Sequence, residues 1–295
     1  MRRLLCSNPR FQGSALLFRQ DQGIGWFPHE SNCNIADDYC KDIIVTLHYV
    51  FLRNLISYKR FVIPTLIVSI GQPLFYLVTF GIGLGAYMGA FGGKPYLHFL
   101  VPGILVSSVM LSASFECLYG TFVKMVHERL YDSLVATPVS AEDAVAGDIA
   151  WGAFRGLIGG VLMVVVASIM GIFPASIVSL ALLLALMVFV GILFGSLAMI
   201  ITSFAPNFDF FNYYTELVLT PMLFFSGVFF PLDRFSQWMK TFAQFLPLTH
   251  AVNISRAAFA GKTTPGLAWS FLILLGIEVV AFYIGVTLMK RRLIK

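Results

Sequence analysis

Charge is scarce in this sequence: charged side chains make up 12% of its 295 residues, about half the share of an ordinary soluble domain. Apolar residues make up 58% and the mean hydropathy is +0.82. So few charges cannot cover a water-facing exterior, which excludes a soluble enzyme and points to a chain solvated mainly by lipid. Cysteine is scarce too. Cys6, Cys33, Cys40 and Cys117 form no CxxC pair and have no histidine at zinc-ligand spacing, so neither a disulfide framework nor a structural metal site is expected. Cys33 and Cys40 alone stand where they could pair, and the compartment assigned to them below is reducing. Glycine and proline follow no period, which excludes a collagen-like chain. The net charge of +5 does not imply nucleic acid, because the bases gather at the two ends and not on a face interleaved with aromatics.

Catalytic patterns are missing as well. No HExxH, GxSxG or paired-carboxylate arrangement stands where water and substrate could meet, and His29, His48, His98, His127 and His250 are scattered singly. No catalytic, cofactor-binding or metal-binding residue is assigned. Gly261-Lys262-Thr263 resembles the end of a phosphate-binding loop, but Arg256 occupies the position of its first glycine and no strand precedes it. Gly81, Gly83 and Gly85 miss the dinucleotide spacing. The chain is expected to bind no nucleotide of its own.

What the sequence does have is six apolar runs near the length needed to cross hydrocarbon, at 62–84, 97–122, 149–173, 177–203, 213–230 and 268–289. No ten-residue alternating pattern suggests a barrel, so the predicted fold class is an all-α membrane protein with six transmembrane helices. The third and fourth runs meet at the six-residue stretch Gly171-Ile172-Phe173-Pro174-Ala175-Ser176, a tight hairpin. The fifth is interrupted by Pro221 and carries Glu216. The segment 231–265 is too polar to span and too apolar for an ordinary loop; Phe235, Trp238, Met239, Phe242, Phe245 and Leu246 predict one or two short helices in the outer interface.

Lysine and arginine set the orientation. Arg2, Arg3, Arg10, Arg19, Lys41, Arg53, Lys59 and Arg60 precede the first run, and Lys290, Arg291, Arg292 and Lys295 follow the last. Both termini are expected in the cytoplasm, in agreement with an even number of spans. Residues 1–36 read as a poorly ordered leader without the apolar run of a secretory signal. Within 37–60, Ile43, Leu47, Val50, Phe51, Leu55 and Tyr58 form one stripe opposite Thr46, Arg53, Ser57 and Lys59. This predicts an amphipathic helix on the inner surface; an early start of the first span is the other reading. Gly81 with Gly85, Gly152 with Gly156 and Gly191 with Gly195 form small-xxx-small pairs suited to close helix packing. Glu116, Arg155, Glu216 and Glu278 are ionisable groups inside spans, where an unpaired charge costs about 2.5–3.5 kcal/mol on insertion scales. Interior packing and an ion-linked role are both open for Glu216 and Glu278.

The stretch 123–148 is the densest in polar residues, with Lys124, His127, Glu128, Arg129, Tyr131, Asp132, Thr137 and Pro138. Pro138 stops one helical stripe, and Ser140 can cap a second helix with Glu142 and Asp143 in its first turn. The run Glu128-Arg129-Leu130-Tyr131-Asp132-Ser133-Leu134-Val135-Ala136-Thr137-Pro138-Val139-Ser140 with Gly147-Asp148 resembles the segment between the second and third helices of type-2 ABC transporter permeases. Pro221 to Leu232, continuing through Leu246-Pro247-Leu248-Thr249-His250 to Arg256, is similar to the family's second signature. The likeness extends from about Asp42 to the carboxyl end and is greatest to the NodJ-like branch, associated with export of lipo-oligosaccharide or polysaccharide.

That resemblance implies a permease without catalytic activity of its own, in the bacterial inner membrane, as a homodimer or paired with a similar permease. It implies contact with membrane lipid and a separate cytoplasmic ABC ATPase subunit that uses ATP and Mg. It also implies that Leu47, Phe51, Arg53, Tyr58 and Arg60 lie on a gate or connecting helix, and that 128–137 is a coupling helix seated on the ATPase. Ser226, Gly227, Pro231, Pro247 and Arg256 would belong to a re-entrant outer segment. An ion-coupled transporter or channel acting without an ATPase, through Glu216 and Glu278, is the alternative.

Overall fold

The computed structural model describes residues 51–56, 58, 67, 71–85, 90–91, 94–127, 131, 140–232, 235–261 and 265–293. The leader 1–36, most of the expected interface helix and positions 62–66 and 68–70 of the expected first span lie outside the described residues; positions 71–84 of that span are helical, with a π-helical stretch at Leu77–Leu84. Four helices are long and apolar enough to cross a membrane: Tyr96–Val126 (α1), Ala141–Ile169 (α2), Ile177–Phe204 (α3) and one near the carboxyl end that begins at Pro265. At 1.5 Å per residue, 31 residues of α1 reach about 46 Å, well beyond a hydrocarbon core of about 30 Å.

The expected third span, 149–173, thus begins eight residues earlier, at Ala141. Residues 141–148, which the sequence suggested as a separate short helix, are its first two turns. Ser140 does cap it, its hydroxyl accepting the Asp143 N–H at 3.1 Å with Glu142 and Asp143 in the first turn. The stretch expected at 213–230 is a shorter helix, 210–225 (α4), containing a π-helical turn at Thr215–Leu219. Pro221 has no N–H to offer the preceding turn, and next to it both the backbone N–H and the hydroxyl of Thr220 donate to the Thr215 carbonyl, the hydroxyl at 3.0 Å. Gln237–Phe245 (α5) and Pro247–Ala260 (α6) follow, and Pro265–Leu293 (α7) closes the chain. A two-residue hairpin, Ala90–Phe91 paired antiparallel with Lys94–Pro95, precedes α1. It is the only β structure among the described residues.

Helix α2 packs antiparallel to α1 and α3, which run side by side in the same direction, and α7 lies against α3 and α2. Glycine sets their approach. A Cβ at Gly191 would lie 2.7 Å from the Ala153 Cα, and one at Gly152 would lie 2.6 Å from the Cys117 sulfur. Backbones come this close because lipid supplies no hydrophobic drive and contact itself must hold the helices together. The α2–α3 turn bends at Gly171, whose φ of +80° suits a residue without Cβ. The antiparallel packing gathers Val126, Ala141, Phe204 and Leu293 at one end of the bundle. Lys290 donates to Glu142 there at 2.6 Å, and Arg292 donates to the Thr202 and Ala205 carbonyls at 2.5 and 2.7 Å.

Gly191→Val is therefore expected to lower the thermal unfolding temperature of detergent-purified protein, at a cost of about 1–3 kcal/mol for overpacking. Gly276→Ala, in open space on α7, is expected to be neutral or stabilising by up to about 1 kcal/mol.

Candidate functional site

Asp148 lies two turns into α2 and is 2% exposed. A lone carboxylate buried there would be strongly destabilising, so the surrounding elements supply donors. Lys124, in the last turn of α1, donates to Oδ1 at 2.8 Å, and Asn54 Nδ2 donates to the same oxygen at 2.9 Å. The Tyr131 hydroxyl donates to Oδ2, and the Arg53 guanidinium stands 3.9 Å from Oδ1. Burial and the adjacent carboxylate hold the Tyr131 phenol well above its ordinary pKa, so it remains a donor throughout the physiological range. One side chain thereby binds the 51–58 segment, the end of α1, Tyr131 and the start of α2.

The same face of α2 continues with a second buried carboxylate. Glu116, at the π-helical turn of α1, accepts from Trp151 Nε1 at 3.0 Å and pairs with Arg155. Arg155 also stands 5.7 Å from the Tyr58 ring centre. Phe51 meets the edges of Trp151 and Phe154 at 5.4 and 5.0 Å, and Tyr58 meets Trp151 at 5.6 Å. Phe51, Asn54 and Tyr58 are spaced i, i+3, i+7, as are Asp148, Trp151 and Arg155. Two helical faces of matching period are thus zipped together.

Among the expected coupling residues, Lys124 and Tyr131 join this cluster, while exposed His127 lies 5.6 Å from the Phe208 ring. Glu128, Arg129, Asp132, Thr137 and Pro138 lie outside the described residues. Of the expected interface-helix residues, Phe51, Arg53 and Tyr58 join the cluster; Leu47 and Arg60 lie outside. Sequence reasoning did not single out Asn54 or the role of Asp148, nor did it pair Glu116 with Arg155. The signals were present: Asn54 interrupts an apolar stripe, and Glu116 and Arg155 are opposite charges near the same ends of successive spans.

The opposite end holds the residues expected in the outer segment. Gly227 has φ +78°, ending α4 in a turn that lays Val228 against Gly103 of α1. The carbonyls exposed by this break are met by side chains. Arg256 of α6 donates to Gly227 at 2.5 Å, and the Tyr96 hydroxyl donates to Phe229 at 2.5 Å. The Arg256 guanidinium rests 3.8 Å from the Phe99 ring centre, and burial pulls its pKa down to about 10, leaving it charged at neutral pH. Ser226 and Pro231, on either side of this turn in the sequence, are buried, and Pro247 opens α6 at its first turn, where a missing N–H has no cost. The structure therefore joins Ser226, Gly227 and Arg256 in one cradle. Glu216 is exposed on α4, and Glu278 is half-buried on α7 with one carboxylate oxygen that has no partner. Among the described residues neither forms an ion pair.

The Asp148 cluster predicts a specific energetic coupling. In a cycle of Asp148→Ala, Lys124→Met and the double variant, the two losses in stability are expected to be less than additive by about 0.5–3 kcal/mol, measured by thermal unfolding in detergent. Once one partner is gone, the other is already an uncompensated buried charge. Full additivity would mean the pair does not act as one.

Residues 46–260 match the family described as ABC-2 type transporter. The chain is 36% identical over 245 residues to Nodulation protein J of Sinorhizobium fredii, covering 83% of this chain and 93% of that protein. It is 34% identical over 246 residues to Nodulation protein J of Rhizobium leguminosarum bv. trifolii, with the same coverage. A more distant relative is the inner membrane transport permease YadH of Escherichia coli, 25% identical over 240 residues, 81% of this chain and 92% of that one. With a family match spanning most of its length and its long apolar helices accounted for, this chain belongs to the ABC-2 type transporter family and is a membrane permease.

Proposed function

We propose that this chain is the permease subunit of an exporter that moves an amphipathic glycan, lipo-oligosaccharide or drug outward across the bacterial inner membrane. ATP and Mg are handled by a separate cytoplasmic ATPase subunit, and two permease copies, or this chain and a similar one, enclose the path. In this reading the chain crosses the membrane six times, both termini are cytoplasmic and the Asp148 end faces inward. The inward assignment rests on the arginines and lysines that flank the first and last spans. The relative named as an inner membrane transport permease supports the location.

The observation that carries this reading is the Asp148 cluster. A partner seated on residues 128–137 would press on a stretch that contains Tyr131, and Tyr131 is bonded to the carboxylate that also holds Lys124 and Asn54. Displacement of that stretch then acts on α1, α2 and the 51–58 segment together. A chain with no nucleotide-binding pattern thus has a rigid point at which to receive work.

The test is to co-express the permease with a candidate cytoplasmic ABC ATPase subunit from the same genome and to replace Glu128 and Arg129 by alanine. Recovery of the ATPase with the permease is expected to fall about tenfold, or about 1.4 kcal/mol, with transport lost and membrane insertion unchanged. Undiminished co-purification and transport would overturn the assignment.

A further inference from the structure

A cavity of about 750 Å³ lies where the start of α3, the end of α6 and the start of α7 diverge, at the end of the bundle away from Asp148. Leu182, Ala185 and Phe189 wall it on α3, Ala257 on α6, and Ala268 and Phe271 on α7. Its volume falls within the range of about 300–1,000 Å³ typical of small-molecule pockets. The space exists because small side chains stand where three helices part. The hydroxyl groups at its rim, Ser176 and Ser179, lie 3.2 Å apart, and Ser176 also accepts the Ser179 N–H. No polar group in the wall therefore calls for a polar ligand.

Its depth and its opening identify the medium that fills it. The α3 wall runs from Ser176 to Phe189, about 20 Å at 1.5 Å per residue, comparable with one leaflet of a hydrocarbon core about 30 Å thick. Val178 and Leu182 at its side are 69% and 55% exposed, so it opens laterally onto the bilayer interior. Water inside would forgo its hydrogen bonds, and an empty space would leave the lining atoms without dispersion partners. A second copy would have to insert several side chains into a slot that follows one helix lengthwise, a shape suited to a flexible hydrocarbon chain.

We propose that this cavity binds one acyl chain of a membrane phospholipid, in the leaflet facing away from the Asp148 cluster. The bound chain props α6 against α3 and α7. Because α6 carries Arg256 next to Ala257, occupancy also supports the cradle that satisfies the Gly227 carbonyl. The inference needs only that the chain spans a bilayer and is independent of the cargo.

The experiment places the photoreactive residue p-benzoylphenylalanine at position 182 of the full chain, in nanodiscs of palmitoyl-oleoyl phosphatidylethanolamine and phosphatidylglycerol. After irradiation, intact-protein mass spectrometry is expected to show one phospholipid adduct. Ala185→Phe with Ala268→Phe fills the slot from two exposed positions and is expected to reduce the adduct about tenfold, equivalent to about 1.4 kcal/mol. Ala181→Phe, a turn away on α3 and outside the lining, is expected to leave it unchanged. If the double variant does not fold, each single substitution carries the same comparison. Equal adduct yield in the filled and unfilled proteins would reduce the contact to ordinary surrounding lipid and overturn the site, as would a covalent dimer of the chain in place of the lipid adduct.

Discussion

Hydrocarbon offers a buried polar group no hydrogen bond, so such a group within a membrane-spanning bundle is costly unless the protein supplies its partner. The permease is arranged around that requirement. Asp148 is met by a lysine, an amide and a phenol drawn from three stretches of sequence, and Glu116 by an indole and a guanidinium of α2. Where α4 stops short, Arg256 and Tyr96 reach from two other helices to the carbonyls left over. In each case the polar demand of one element is satisfied by another, which makes the demand a long-range constraint on tertiary structure. A helix with a wholly apolar surface could slide or rotate against its neighbour at little cost. A helix carrying Asp148 has one register only.

Between these polar ends the bundle is held by contact. Gly191 against Ala153 and Gly152 against Cys117 let the helices approach closely, with the Glu116–Arg155 pair at the level of the second contact, while the other ionic bonds gather toward the termini of α1, α2, α3 and α7. The two kinds of constraint are complementary. Close packing fixes the distance between helices, and the terminal bonds fix how far each has advanced along its neighbour. The 51–58 segment uses both, with Phe51 and Tyr58 packing on Trp151 and Asn54 bonding Asp148.

Much of this was legible in the sequence because hydrophobic length and charge placement are one-dimensional properties. The apolar runs near α1, α2, α3 and α7, the tight turn after α2, the Ser140 cap and the amphipathic stretch before α6 all follow from local pattern. The continuity of 141–148 with the span did not, since Glu142, Asp143 and Asp148 read as a separate short helix outside the membrane when their partners are unknown. Once Lys124, Asn54 and Tyr131 are seen around Asp148, a polar first turn continuous with the span is the expected result. The shortening of α4 was hidden for a related reason. Pro221 announced an interruption, but the receiving groups, Arg256 and Tyr96, come from far along the chain. Sequence pattern shows where a polar group is; it does not show what answers it.

The two ends of the bundle differ in how they yield to force. At the Asp148 end, charge-assisted bonds and interlocked aromatics leave no room for one element to shift without its neighbours, and close-packed interiors of this kind transmit strain. At the other end α3, α6 and α7 part around a space of about 750 Å³, and the backbone between α4 and α5 is held by a few side-chain bonds. A displacement imposed at the tied end is therefore carried along α2 and α3 with little loss. The space between α3, α6 and α7 is where the helices have volume to move into. Mechanical stiffness at one face and compliance at the other are consequences of the same residue choices, small and apolar on one side, ionic and aromatic on the other.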